Sequence, residues 1–273
     1  MIFQFLFYPV LFFLLCATFF FFYFLFTLDE KWGKAGVFFL GISLTLSFFY
    51  LIAKAISLGY FPITNKHVSL IFFEFLLILI FYIFYFRFRL LMVGVFLSPL
   101  ALLLVIIAAF MNKETSEVIP ILHSLWLPIH VMAAFIGNAL FALSFVISFI
   151  YLIENFRLKK KRFDALGKYL PSLTMLDNIN YFCIVYGFPF MTLGIITGAI
   201  WAQYAIGSYW NNDPKEIWSL ITWILYAALL HLRLITGWKG KKVAIFSIIA
   251  FSILIFSFIG VTYIFKGYHS FKS

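Results

Sequence analysis

Five histidines stand in this chain, His67, His123, His130, His231 and His269. An imidazole can hydrogen-bond, carry a proton or ligate a metal. His231 is set deep in an apolar stretch, where an imidazole is costly and marks a functional position by default. Two readings of it stay open at this point: a hydrogen bond to a Ser or Thr on a neighbouring helix, or a ligand to a metal. Ala227 and Ala228, at i−4 and i−3, share its face. Side chains that small leave room for a flat ligand, and they equally permit close helix packing. His123 and His130 are seven residues apart and share a helix face, so spacing does not choose between them. His67 reads as a loop residue. The second feature is tryptophan: Trp201, Trp210, Trp218 and Trp223 are four of the chain's seven. A single Trp is usually an interfacial anchor, apolar with one N–H that wants water. Four within residues 201–223, with Tyr204 and Tyr209 between them, suggest a stacking surface for a planar hydrophobic ligand. Asp213-Pro-Lys-Glu216 is explained locally as a helix start, with Asp at the N-cap, Pro at N1 and Glu completing a capping box.

The elements that position these residues are membrane helices. The chain has 273 residues, is 65% hydrophobic and only 11% charged, and contains 40 Phe. A soluble domain carries about 25% charged residues. The expected fold is an all-α integral membrane protein of about eight transmembrane helices, near 2–28, 35–57, 68–86, 90–110, 124–153, 180–201, 215–236 and 243–265. Residues 1–110 read as an N-terminal four-helix region. Residues 111–273 read as a second region, with an outer Trp-rich loop at 201–218. The joins include a basic loop from Glu154 to Asn180. The net charge of +10 points to topology rather than to nucleic acid. Lys31, Lys34, Arg87, Arg89, the Arg157–Lys168 run, Lys239, Lys241 and Lys242 fall on one side; fewer, among them Lys66, Lys113 and Lys215, fall on the other. The basic side is therefore expected in the cytoplasm, with both termini and the Trp-rich loop outside. His123, His130 and His269 then lie at the outer edge, and His231 roughly 25 Å further in along its helix. Cys16 and Cys183 sit in apolar runs and form no Cys-x-x-Cys, which excludes a redox pair of the chain's own. Residues 2–28 lack a basic n-region and a cleavage site and are expected to be retained. Gly194 and Gly198 have the spacing of a helix-packing pair. Glu74 sits inside a span without an assignable partner, and Asp177 likewise has none.

The segment from Trp201 through Asp213-Pro-Lys-Glu-x-Trp218, followed by Leu230-His-Leu-Arg233, resembles the tryptophan-rich "WWD" signature of haem-handling membrane proteins, in particular the CcsA/ResC type of cytochrome c assembly. The resemblance extends through Gly187-Phe-Pro189, Thr192-Leu-Gly194-Ile-Ile-Thr-Gly198, Trp126-Leu-Pro-Ile-His130-Val and Gly267-Tyr-His269-Ser-Phe. The usual Trp directly before the Asp is Asn212 here, which weakens the aromatic platform without removing it. The resemblance implies a membrane subunit of a cytochrome c synthase in the bacterial inner membrane, with the Trp-rich loop facing the periplasm. It implies haem b as the bound group. His130 and His269 would be its outer axial ligands, chosen over His123 by the resemblance alone, and His231 an intramembrane ligand. The aromatic cradle would comprise Trp201, Trp210, Asp213, Trp218 and Trp223. The implied partners are a ResB-like membrane protein, apocytochrome c and a thioredoxin-like thiol reductant. Two rivals share the composition: a HemX-like haem-binding regulator, and a non-haem membrane transporter.

Overall fold

A computed structural model describes residues 2–63, 65–111, 124–162 and 164–257, with side chains from residue 5. Its regular elements are helices, in the order α1 (Ile2–Thr27), α2 (Glu30–Leu58), α3 (Lys66–Phe88), α4 (Leu91–Ala109), α5 (Trp126–Lys159), α6 (Leu173–Ile206), α7 (Pro214–Ile235) and α8 (Lys241–Ile255), with one 3₁₀ turn at Ala165–Lys168. The first seven are long and apolar enough to cross a bilayer. The chain is a multi-pass membrane protein. The apolar segment expected to end near residue 265 continues past the described part of α8.

Local chemistry accounts for where the helices begin and end. Asp29 caps α2 by accepting from the Lys31 N–H, Asn65 caps α3 through the Val68 N–H, and Ser172 caps α6 through the Met175 N–H. Gly59 and Gly207 terminate α2 and α6 in the left-handed conformation, at φ 73° and 79°, which glycine adopts without a Cβ penalty. Hydropathy, by contrast, misplaces the C-terminal end of α5 and the N-terminal end of α6. The basic loop expected over Glu154–Asn180 is helical to Lys159 and again from Leu173. Hydropathy marks where lipid ends, and a helix can run on into water. Here the buried Arg157–Glu154 pair, 2.6 Å apart at i,i+3, supports the extension.

The helices group into two compact units, α1–α4 with the 160–171 segment, and α5–α8. In the first, α1 packs on α2 and α4, and α3 on α4 and α2. His67 corrects its expected loop position, lying in the first turn of α3 with 1% exposure. Its Nδ1 is 2.7 Å from Ala108 O and its Nε2 is 3.0 Å from the Tyr50 hydroxyl, so both ring nitrogens are used in packing. Glu74 is buried against α2, accepting from Ser47 Oγ at 2.8 Å with Ser43 Oγ at 3.5 Å.

In the second unit α5 pairs with α6 along most of its length, α8 covers α5, and α7 bridges α6 and α8. Asn180 ties three helices together: its side chain accepts from Ser144 at 2.7 Å, donates to Ser148 at 2.8 Å and meets Ser247 at 3.4 Å. Buried amides in membrane bundles need such partners. Asp177 finds its partner on α7. Arg233 grips it with Nη1 to Oδ1 at 3.0 Å and Nη2 to Oδ2 at 2.7 Å, while the Gly240 N–H donates to Oδ1 at 2.8 Å. The guanidinium also stacks over Tyr181.

Candidate functional site

His130 is in the second turn of α5, half-buried against α6. Its Nδ1 is 2.7 Å from the Gly194 carbonyl. A carbonyl only accepts, so Nδ1 is the donor in this hydrogen bond. This is the outer-shell arrangement that orients a ligating imidazole. A Cβ at position 198 would come within 2.7 Å of His130 Cε1 and Nδ1, so the ring fits because residue 198 is glycine. Gly194 and Gly198 thus do more than the helix packing expected of them. The first brings α6 onto the Ala134 backbone and lends its carbonyl to the histidine. The second makes the notch for the ring.

Trp201 follows Gly198 by one turn of α6. Its Nε1–H is buried and has no hydrogen-bond partner among the described residues. Buried donors left orphaned in a protein interior are uncommon and point to something that completes them. Beyond Gly207 the chain makes a tight polar turn. Trp210, 43% exposed, donates its Nε1–H to Asn212 Oδ1 at 2.7 Å. Asn212 has φ 54°, a left-handed conformation that Asn tolerates far better than bulky residues do. The capping box read from sequence is present. Asp213, 3% exposed, accepts from the Lys215 N–H at 2.8 Å, and Glu216 accepts from the N–H groups of Asn211 and Asp213. On α7 itself, Trp218 meets Phe256 edge-on at 4.8 Å. Trp223 stacks on Phe188 at 5.3 Å and donates to Thr192 Oγ1 at 2.9 Å. Among the described residues no two of these four indoles stack on each other.

His231 lies on the exposed side of α7 and forms no hydrogen bond among the described residues. It lines a shallow, open groove along α7 with Trp223, Ile224, Ala227, Ala228 and Leu232, every lining residue belonging to that one helix. The two alanines anticipated as its small neighbours line the same face. Among the described residues no Ser or Thr hydroxyl hydrogen-bonds this imidazole. His231 and Trp223 are therefore brought to one groove, while His130 and Trp201 belong to the α5–α6 pair. His123 and His269 lie outside the described residues. A flat iron porphyrin suits what is present: an apolar groove with one imidazole, and a second imidazole oriented by a carbonyl. Sequence reasoning missed Thr192, the Asp177–Arg233 pair and the work of Gly198. Arg233 in an apolar helix was the one available signal, since an intramembrane charge requires a partner.

The chain matches the family described as "Cytochrome C assembly protein" over residues 5–269. It belongs to that family. As a cytochrome c assembly protein it is 36% identical over 239 residues to the "Cytochrome c biogenesis protein CcsA" of Chlamydomonas reinhardtii, covering 85% of this chain and 67% of that one. It is 36% identical over 261 residues to the CcsA of Trieres chinensis, covering 83% and 82%, and 33% identical over 248 residues to that of Prochlorococcus marinus, covering 81% and 78%. The fold is shared with the solved structure titled "Cytochrome c Heme Lyase CcmF". The TM-score is 0.69 at 15% identity, over 94% of this chain and 46% of that one, so this chain spans about half of that protein's length. The CcsA-type resemblance of the Trp-rich segment is thus shared by the chain as a whole. The protein is a membrane component of cytochrome c biogenesis.

Proposed function

We propose that this chain is the haem-presenting membrane subunit of a cytochrome c synthase, an eight-span protein of the bacterial inner membrane with both termini and the Trp-rich segment on the outer side. The observation that carries this reading is the exposed face of α7, where an imidazole with no hydrogen bond among the described residues stands beside Ala227, Ala228 and Trp223. Haem b, the substrate, supplies two vinyl groups, which receive the two thiols of an apocytochrome Cys-x-x-Cys-His motif as thioethers. The residues of this chain bind and orient. His231 offers a ligand within the membrane, and the opposite ligand comes from a ResB-like partner. His130, with its Nδ1 proton held by Gly194, presents Nε2 as the ligating atom on the outer side, paired with His269. Trp201, Trp210 and Trp218, with Asp213 fixing the start of α7, shape the outer aromatic surface. The thiols come from the apocytochrome, kept reduced by a thioredoxin-like protein. Cys183 is fully buried in α6 and Cys16 half-buried in α1, placements suited to packing.

The test is a visible spectrum of the purified chain, alone and with its membrane neighbours. His231→Ala is expected to lower the co-purifying haem, and His130→Ala to change the remaining Soret band. Deleting the gene is expected to remove all c-type cytochromes. A purified chain with no Soret absorption, unchanged on adding haem, would point to a non-haem transporter, and unchanged haem in both variants would count against these two ligands. Haem binding with intact c-type cytochromes after deletion would point to a regulatory haem protein.

A further inference from the structure

We infer that Thr192 is a positioning residue for the His231 groove, acting through the Trp223 indole. The inference rests on the reading of that groove as a haem site. Thr192 Oγ1 lies 2.8 Å from Phe188 O on its own helix. That carbonyl only accepts, so the hydroxyl proton is committed to it. What the hydroxyl still offers is lone-pair density, and Trp223 Nε1–H donates to it from 2.9 Å. The Phe188 ring stacks on the same indole, with centroids 5.3 Å apart and planes 29° from parallel. One hydrogen bond at the edge of the ring and one contact on its face fix both its rotation and its tilt. An indole held by packing alone would keep other staggered rotamers open.

The groove gives that orientation a purpose. Trp223 and His231 both line it, eight residues apart on α7 and separated by about 12 Å of rise. Ala227 and Ala228 lie between them and carry only methyl groups. The indole stands at one end of this face and the imidazole at the other. The aromatic face presented to a planar ligand is thus set from α6, by a residue that does not line the groove. The chemistry demands a hydroxyl that donates and accepts at once. Serine meets that demand, whereas valine, with nearly the same shape, does not.

The experiment uses the full-length chain in detergent, titrated with ferric haem b. Absorption and circular dichroism are recorded in the Soret region, and the His231→Ala spectrum is subtracted to isolate the groove. Thr192→Val is expected to weaken this component several-fold and alter its dichroism. Thr192→Ser is expected to match the parent chain. Trp223→Phe, which keeps a ring beside Phe188 and removes the N–H, is expected to reproduce Thr192→Val and serves in its place should that variant fail to fold. A Thr192→Val or Trp223→Phe spectrum superimposing on the parent overturns the inference, as does a Thr192→Ser variant as impaired as the valine. In those cases the groove reading stands. If His231→Ala removes no Soret signal, the groove reading itself falls and the inference falls with it.

Discussion

Asn212 replaces the tryptophan usual before the aspartate of this signature, and the backbone explains what asparagine does there. At φ 54° a β-branched or bulky side chain is strained by about 1–2 kcal/mol, and the Asn212 carboxamide also accepts the Trp210 N–H. Asn212→Gly is expected to keep the backbone turn and release the indole, seen as a shift in tryptophan emission. Asn212→Val is expected to lower the melting temperature as well. Gly198 makes a sharper prediction. Gly198→Ala places a methyl 2.7 Å from the His130 ring, so it should reproduce the spectral effect of His130→Ala although residue 198 has no chemistry of its own. The candidate residues were legible in the sequence because histidine and tryptophan are conspicuous in an apolar chain. Their supports were not. A glycine that makes a notch and a threonine that accepts an indole N–H look like ordinary membrane-helix residues until the neighbouring helix is in place.

At the scale of the helix, α7 is capped locally at its start and held to α6 along its length and at its end. Its start is fixed by the Asp213–Glu216 box, its end by the Arg233–Asp177 pair, whose side chains are 7% and 12% exposed. Removing one member of a buried ion pair leaves the other uncompensated, at a cost of about 3–5 kcal/mol. Arg233→Ala is therefore expected to lower thermal stability severely, and the Arg233→Leu/Asp177→Asn double variant to recover much of it. Recovery in a double-mutant cycle would identify the pair, and additive losses would count against it. Helix starts were legible here because caps are local: Asp213-Pro-Lys-Glu predicted the first turn of α7. The C-terminal end of α5 and the N-terminal end of α6 were not, because apolarity reports immersion in lipid while helical hydrogen bonding continues beyond it.

For the molecule as a whole, composition was decisive about class, since a chain this apolar has few soluble alternatives. The grouping into α1–α4 and α5–α8 depends on packing that hydropathy cannot express, such as the Asn180 cluster joining α5, α6 and α8. Sidedness rests on the distribution of Lys and Arg. In a background without the native cysteines, Ser208→Cys is expected to react with a membrane-impermeant thiol reagent from the outside, and Lys161→Cys only after the membrane is breached. The opposite pattern would invert the topology. The anchoring of α7 has a mechanical corollary. A rod tied to α6 at Trp223 and again at Arg233 cannot easily slide as a piston or roll about its own axis. Its midpoint therefore keeps a constant depth and bearing against its neighbour, and whatever movement the helix makes it makes together with α6.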